Sequence, residues 1–193
     1  AFANQGANVF LTRDKNKILD SDGVVLPGVG AFAHGMDGLN KYGMVEIIKE
    51  YVESNKPFMG ICLGMQLLFE ESEEFGVTVG LGLIPGRVIK LPTKDSQNEK
   101  LPHVSWNELN SGKIQWSDTV LESIKVGSDM YFVHSFVVQP NDEDNVLSTT
   151  EYSGYNFCSS VKKDNIYGCQ FHPEKSGKTG LKIVKNFIRM CEK

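Results

Sequence analysis

About a third of the way along, the chain reads Lys56-Pro57-Phe58-Met59-Gly60-Ile61-Cys62-Leu63-Gly64, and its architecture is organised around this segment. The apolar run from Phe58 to Ile61 predicts a strand, and the run from Leu63 to Glu71 predicts a helix. Cys62 therefore lies at a sharp strand-to-helix turn, the arrangement called a nucleophile elbow. Flanking glycines remove Cβ atoms that would clash in so tight a turn, and a helix start offers free amide donors to a thiolate or oxyanion.

A cysteine among apolar residues is more often a small buried core residue than a nucleophile, so the elbow needs support from a base. The segment His172-Pro173-Glu174 supplies an imidazole and a carboxylate after a second strand-like run, from Ile166 to Phe171. A thiol needs such a base at neutral pH, and the base needs a group that orients it. The order nucleophile, histidine, acid differs from that of α/β-hydrolases, which argues against an esterase.

These two segments carry a resemblance to a known family. Gly60 to Gln66 and Gln170 to Glu174 resemble the two signatures of class I, triad-type, glutamine amidotransferases. Within that family, the chain is similar to the glutaminase subunits of imidazole glycerol phosphate synthases, from about Asp22 to the C-terminus. Four further segments carry this similarity: Leu26–Phe32, Gly82–Val88, Trp106–Asn107 and Phe132–Phe136.

The resemblance implies a fold and a reaction. The expected fold is α/β, flavodoxin-like, with a mostly parallel sheet flanked by helices and an added antiparallel stretch in the second half. The expected reaction is hydrolysis of glutamine to glutamate and ammonia through a cysteine thioester. Cys62 would be the nucleophile, His172 the base and Glu174 the group that orients the base.

The substrate site implied by the resemblance surrounds this triad. The backbone amide of Leu63 is expected to stabilise the oxyanion, together with an amide from the loop Gly28-Val29-Gly30. Taken alone, that loop is a tight turn after a strand, and Gln66 would be a surface position one turn into a helix. By resemblance, Gln66 binds glutamine, and Ser135 and Phe136 offer backbone groups to the substrate carboxylate. His134 is expected to be structural.

A partner is expected because ammonia released into water would be wasted and the chain is too short to contain an acceptor domain. A (β/α)₈ barrel alone needs about 250 residues. By resemblance, the partner is a (β/α)₈-barrel cyclase subunit in a heterodimer, which uses the ammonia to make imidazole glycerol phosphate and aminoimidazole carboxamide ribotide in histidine biosynthesis.

Two positions leave another partner open. Val104 and Ser105 depart from the usual form of the Pro-His-Met-Gly-Trp-Asn segment, which lies at the synthase interface in this family. The chain could therefore be a paralogous glutaminase that feeds a different synthase, such as one that amidates surface sugars. A non-catalytic binding subunit is disfavoured by the complete triad. Trp106 is either a core aromatic or an interface residue.

Composition sets the remaining expectations. With 193 residues and 40% hydrophobic residues, one domain over 1–193 is expected. The resemblance implies that the N-terminal strand and helix of the family are missing. The segment Val9-Phe10-Leu11 predicts a strand, the pattern from Met44 to Val52 predicts a helix, and the apolar positions from Leu181 to Cys191 predict another. Polar stretches at 93–100 and 139–145 are expected to be exposed loops.

Charge and cysteine spacing exclude several classes of function. A net charge of -4 with scattered basic residues gives no reason to expect nucleic-acid binding. No apolar run approaches the ~20 residues that a membrane span needs, so a cytoplasmic location is expected. The four cysteines show no metal-ligand spacing, and neither a metal nor an organic cofactor is expected.

Overall fold

The computed structural model of this chain describes residues 1–93 and 101–192. The helices are α1 (Lys15–Leu19), α2 (Phe32–Lys41), α3 (Met44–Glu53), α4 (Leu63–Leu67) and α5 (Gly177–Cys191). The strands are β1 (Val24–Gly28), β2 (Phe58–Cys62), β3 (Phe69–Ser72), β4 (Thr78–Val79), β5 (Ile84–Lys90), β6 (His103–Ser111), β7 (Ser128–His134), β8 (Phe136–Pro140), β9 (Val146–Tyr152), β10 (Tyr155–Lys163) and β11 (Ile166–Cys169).

The strands form one sheet with a parallel part and a larger antiparallel part. Its main path has the order β1-β2-β11-β10-β8-β5-β3-β4, and β9, β6 and β7 extend it beside β10. The pairs β1–β2 and β2–β11 are parallel, as is β3–β5, whereas β10 pairs antiparallel with β11, β8 and β9. The fold is thus α/β, as predicted, and the antiparallel addition is more extensive than the parallel strands around Cys62.

Hydrophobic side chains cover the two faces of the parallel strands because neighbouring strand residues point to opposite sides. Phe58 of β2 packs on one face with α2 and α3, which contribute Met36 and Ile48. Met59 of β2 packs on the other face with α5, which contributes Phe187. The predicted helices at Met44–Val52 and in the C-terminal segment are therefore confirmed, and both bury apolar faces.

The predicted helix from Leu63 to Glu71 was wrong in its second half. The helix ends at Leu67, and Phe69–Ser72 form a strand that pairs parallel with β5 and antiparallel with β4. The Phe69 side chain is fully buried in the core. Pairing with strands that come later in the chain thus overrides a local pattern that suited a helix.

Two smaller expectations also need correction. Val9, Phe10 and Leu11 form no strand; their side chains are exposed, and no described strand lies in ladder register with them. The predicted loop at 139–145 begins within β8, whose last residue is Pro140. The predicted loop at 93–100 lies outside the described residues beyond Thr93. No helix in the described ranges has the length and apolar character needed to cross a membrane.

Candidate active site

The predicted nucleophile lies at the junction of a strand and a helix. β2 ends at Cys62 and α4 begins at Leu63. Cys62 has φ 55° and ψ -114°, and a positive φ is uncommon for a residue with a side chain. A methyl group on Gly64 would overlap the carbonyl oxygen of Leu26, and one on Gly60 would press on the Gly64 backbone. These two glycines allow α4 to start this close to β1 and β2.

The Cys62 thiol is nearly buried, with 7% of the residue exposed. Its Sγ lies 3.8 Å from the carbonyl oxygen of Val133 and 3.8 Å from the amide nitrogen Nε2 of Gln170. A thiol can donate to the carbonyl, and a thiolate can accept from the amide. Both protonation states of the sulfur therefore have a polar neighbour.

His172 is held against β7 by backbone contacts. Its N–H donates to the carbonyl oxygen of Tyr131 over 3.0 Å. The Ser176 hydroxyl donates to the His172 carbonyl over 2.7 Å and accepts from the Tyr131 N–H over 3.0 Å. Because Ser176 is buried, these hydrogen bonds are shielded from water. They fix the position of the His172 backbone, and so of its imidazole, after the end of β11.

Glu174 lies behind the imidazole, on the side away from the thiol. A 3₁₀ turn at Pro173–Lys175 brings its Oε1 to 2.7 Å from Nδ1 of His172. Nδ1 therefore carries the proton that it donates to the carboxylate. The other ring nitrogen, Nε2, is buried and has no hydrogen-bond partner within residues 1–93 and 101–192. Nε2 is the atom available for proton exchange with Cys62 and a substrate.

Electrostatics in this group favour a charged imidazole. The interaction with the Cys62 sulfur, and then the hydrogen bond to Glu174, raise the pKa of His172 to about 9 although burial opposes this. Partial burial tends to raise the pKa of Glu174, but the hydrogen bond and charge of His172 lower it overall. An imidazolium beside a cysteine is the environment that supports a reactive thiolate.

A cavity of about 240 Å³ opens onto Cys62 and His172. Six more of the predicted site residues line it: Val29, Gly30, Leu63, Gln66, Ser135 and Phe136. The two that do not are Glu174, which stands behind the imidazole, and Gly28, where a Cβ would come within 3.1 Å of the Leu63 Cβ. A larger groove of about 490 Å³ beside Lys49 has neither thiol nor imidazole among its described lining residues.

Gln66 is buried, so the interpretation of this position as a surface residue was wrong. Its Nε2 donates to the carbonyl oxygen of Phe136 over 3.1 Å and to Oε1 of Gln170 over 3.0 Å. Both amide hydrogens are therefore used inside the protein. The Gln66 Oε1 atom is left to accept from a molecule in the cavity.

Two polar side chains of the site were missed as individual site residues. Glu74 lines the cavity, and its Oε2 accepts from the N–H of Phe32 over 2.6 Å. Nothing in the local sequence separates it from the neighbouring glutamates. Gln170 was noticed only as part of a signature, yet it is fully buried and contacts the sulfur.

His134 lines the same cavity but is poorly suited to act as a base. Burial, and then the nearby His103, lower the pKa of His134 to about 3. Its Nδ1 lies 2.9 Å from the carbonyl oxygen of Phe136, and its Nε2 lies 3.0 Å from Nδ1 of His103. These contacts tie β7 to β8 and β6, which agrees with the expected structural role.

An aromatic surface lies next to the triad. Trp106 is 52% exposed, so it is not a core residue, and its ring centroid lies 5.9 Å from that of Tyr131. Tyr131 lies 6.4 Å from the His172 ring, and Nζ of Lys175 lies 5.8 Å from the Tyr131 centroid. Val104 adds an exposed apolar side chain on the same strand as Trp106. We call Val104, Trp106, Tyr131 and Lys175 the aromatic surface.

Comparisons with known proteins agree with one another. Residues 5–191 match the family model described as Glutamine amidotransferase class-I. The chain is 45% identical over 194 residues to the imidazole glycerol phosphate synthase subunit HisH 1 of Legionella pneumophila strain Lens, covering 98% of this chain and 91% of that protein. It is 46% identical over 185 residues to the imidazole glycerol phosphate synthase subunit HisH of Aquifex aeolicus, covering 96% and 86% respectively.

A solved structure shows the same fold at lower identity. The crystal structure of a glutamine amidotransferase superposes with a TM-score of 0.71 and 17% identity, covering 100% of this chain and 90% of that chain. At this identity the superposition shows a shared fold and nothing more.

Proposed function

Because the chain belongs to the class I glutamine amidotransferase family, and within it to the HisH subunits of imidazole glycerol phosphate synthase, we propose that Cys62, His172 and Glu174 are its catalytic triad. The chain is a glutamine amidotransferase and acts as the glutaminase subunit of imidazole glycerol phosphate synthase in histidine biosynthesis. One observation supports the triad most strongly: a thiol at a strained turn lies beside an imidazole whose far nitrogen is held by a carboxylate.

In the proposed reaction, the Cys62 thiolate attacks the side-chain amide carbon of glutamine, and the carbonyl electrons move onto oxygen. The protonated His172 gives its Nε2 proton to the amide nitrogen as the C–N bond breaks, so ammonia leaves and a glutamyl thioester remains. Neutral His172 then takes a proton from water, whose oxygen attacks the thioester carbon. The C–S bond breaks, the thiolate returns, and glutamate is released.

The oxyanion is proposed to bind two backbone amides. The Leu63 amide directly follows the nucleophile and opens α4, where amides have no partner within the helix. The second amide is proposed to come from the loop at 27–30, where Val29 is 81% exposed and Gly30 has φ 97° with open space around it. The peptide between these residues can rotate without moving a buried side chain. Such a rotation would provide the second donor when the partner binds.

The remaining groups of glutamine match polar atoms around the cavity. Glu74 is the one carboxylate among the described lining residues, so it is the proposed partner of the α-ammonium group. The backbone amides of Ser135 and Phe136 are the proposed donors to the α-carboxylate, because the Ser135 carbonyl already accepts from Leu91 and the Phe136 carbonyl from Gln66. The Gln66 Oε1 atom completes the set as an acceptor.

The acceptor of ammonia is proposed to lie in another subunit, because the relatives are named as subunits of a synthase. The proposed partner is a (β/α)₈-barrel cyclase, and the aromatic surface is its proposed contact. Trp106 and Val104 are exposed there, beside the segment that carries His172. Exposed aromatics next to an active site are typical of an interface. A cytoplasmic location is part of this proposal.

The alternative acceptor suggested by Val104 and Ser105 has less support. Relatives at 45–48% identity, from several bacterial genera, are named for imidazole glycerol phosphate synthase. Val104 is 53% exposed, so its substitution changes the surface rather than the core. A change there tunes how a partner docks without requiring a different acceptor.

Glutamate release from glutamine tests this proposal, with the chain alone and with the cyclase subunit and its nucleotide substrate. We expect strong stimulation by that pair. Cys62→Ala should abolish glutamine hydrolysis while the complex still forms product from added ammonium salt. Glutaminase activity indifferent to the cyclase would contradict the proposed partner, and loss of the ammonium-dependent reaction would contradict the division of labour.

A further inference from the structure

Gln170 is a fully buried amide side chain that contacts the nucleophile. Its residue exposure is 0%, and its Nε2 lies 3.8 Å from Sγ of Cys62. We propose that Gln170 is a catalytic hydrogen-bond donor that stabilises the thiolate form of Cys62, alongside His172. This inference rests on the proposed role of Cys62 as the nucleophile.

The orientation of the Gln170 amide follows from a chain of hydrogen bonds. The carbonyl oxygen of Phe136 can only accept, so the Gln66 atom that faces it is the donor Nε2. The second hydrogen of that nitrogen points to Gln170, and the Gln170 atom facing it must therefore be the acceptor Oε1. The Gln170 Nε2 atom is thus turned toward the sulfur. The oxygen and nitrogen atoms of both side-chain amides are therefore assigned from the Phe136 backbone carbonyl, which can only accept. The two orientations of each amide, related by a 180° rotation, are not equivalent here.

The backbone around Gln170 keeps this donor in place. Gln170 is the first residue after the end of β11. Its backbone N–H donates to the carbonyl oxygen of Ser159 on β10 over 2.9 Å. On the other side, β2 carries Cys62 and pairs with β11 in parallel register up to Ile61 and Cys169. The donor and the sulfur therefore project from neighbouring strands of the sheet. Little conformational freedom is lost when the contact forms.

Besides His172, the sulfur has two polar neighbours, which favour opposite protonation states. The carbonyl oxygen of Val133 accepts from a thiol S–H but repels a thiolate, whereas Gln170 donates to a thiolate. Without the Gln170 donor, only the imidazolium of His172 would oppose the preference of the carbonyl for the neutral thiol. The same donor assists the last step, because the C–S bond of the thioester breaks with its electrons on sulfur.

Gln170→Met tests this role because it keeps the length of the side chain and removes the donor. Alkylation of Cys62 by iodoacetamide is followed by mass spectrometry of its peptide across a pH series, with the unliganded chain. The pH at half-maximal rate should rise by about one unit, which is a tenfold loss of thiolate at pH values below both midpoints. Gln170→Glu, which keeps an acceptor for Gln66 and removes the donor, should move the midpoint in the same direction.

The midpoint is more informative than the rate, since a more basic thiolate is also intrinsically more nucleophilic. Ser159→Ala is the matched control: it removes a buried hydrogen bond to the Ser148 hydroxyl and leaves the sulfur's neighbours intact. It should lower thermal stability without moving the midpoint. An unchanged midpoint in Gln170→Met would overturn the proposal and leave Gln170 a structural residue.

The alkylation assay needs neither glutamine nor a partner, so it separates this inference from the proposed function. If the unmodified chain with its cyclase hydrolyses glutamine but Gln170→Met keeps the wild-type midpoint, only the role of Gln170 is wrong. If the unmodified complex releases no glutamate, the proposed function fails whatever the midpoints are. In the active complex, Gln170→Met should lower kcat and change KM for glutamine little, because Gln170 does not line the cavity.

Discussion

Replacing Glu174 by glutamine should move the alkaline limit of activity to lower pH. The carboxylate Oε1 lies 2.7 Å from Nδ1 of His172 and helps to raise the pKa of the imidazole to about 9. A hydrogen bond to a charged group contributes about 1.5–3 kcal/mol. The Glu174 side chain is 34% exposed, so solvent screening reduces this to about 1.4 kcal/mol, or one pH unit.

The assay is steady-state glutamine hydrolysis by the complex across a pH series. His172 must be protonated to give a proton to the amide nitrogen that leaves as ammonia, so kcat/KM should fall as pH rises through about 9 in the native protein and through about 8 in Glu174→Gln. Glu122→Gln is the matched control, because it makes the same substitution in an exposed ion pair with Arg189. It should leave the profile unchanged. A lower kcat in Glu174→Gln with an unmoved alkaline limb would refute the electrostatic role of Glu174.

The interaction of His172 with Glu174 should also make the free energy of unfolding depend on pH. The pKa of His172 is raised on folding, so its contribution is fully present below about pH 6.5 and is lost as pH rises through about 9. The pKa of Glu174 is lowered, so its contribution is present above its unfolded value and is lost in acid. Glu174→Gln should therefore lower the free energy of unfolding most between these limits, and less at either extreme.

Three further substitutions, one of them with a matched control, test other parts of the site. Gly64→Ala should lower the free energy of unfolding in urea by about 3 kcal/mol, because its methyl group would overlap backbone atoms of β1. Gly38→Ala, in a half-buried helix position where an added Cβ would have no neighbour within 4 Å, should instead raise it by about 0.5–1 kcal/mol, and equal effects at both positions would contradict the packing argument. Glu74→Gln should raise KM for glutamine about tenfold with little change in kcat, and an unchanged KM would remove Glu74 from the ammonium site. Trp106→Ala should weaken binding of the cyclase in calorimetry by about tenfold or more at unchanged melting temperature, and unchanged affinity would place the interface elsewhere.

The part of the site that could be predicted from sequence is the part fixed by local geometry. A strand, a turn between glycines and a helix occur within a few residues of Cys62, and only Pro173 separates His172 from Glu174. Such short-range patterns constrain the backbone directly. The class of fold was implied by the family resemblance that these two segments carry.

The missed features depend on contacts between distant residues. Glu74 reaches the cavity by accepting from Phe32, 42 residues earlier, and Gln170 meets Cys62 across 108 residues. No local signal distinguishes such side chains from solvated ones. The helix after Leu63 ended early for a related reason, because pairing of β3 with β5 outweighs the helical preference of its own residues.

The most direct test of the account is capture of the covalent intermediate. The complex of this chain with its cyclase is mixed with excess glutamine, quenched in acid during turnover and mapped by mass spectrometry of its peptides. The account predicts a single γ-glutamyl group on the peptide that contains Cys62, and none in Cys62→Ala. A glutamyl group on another cysteine, or continued glutamate release by Cys62→Ala, would contradict it.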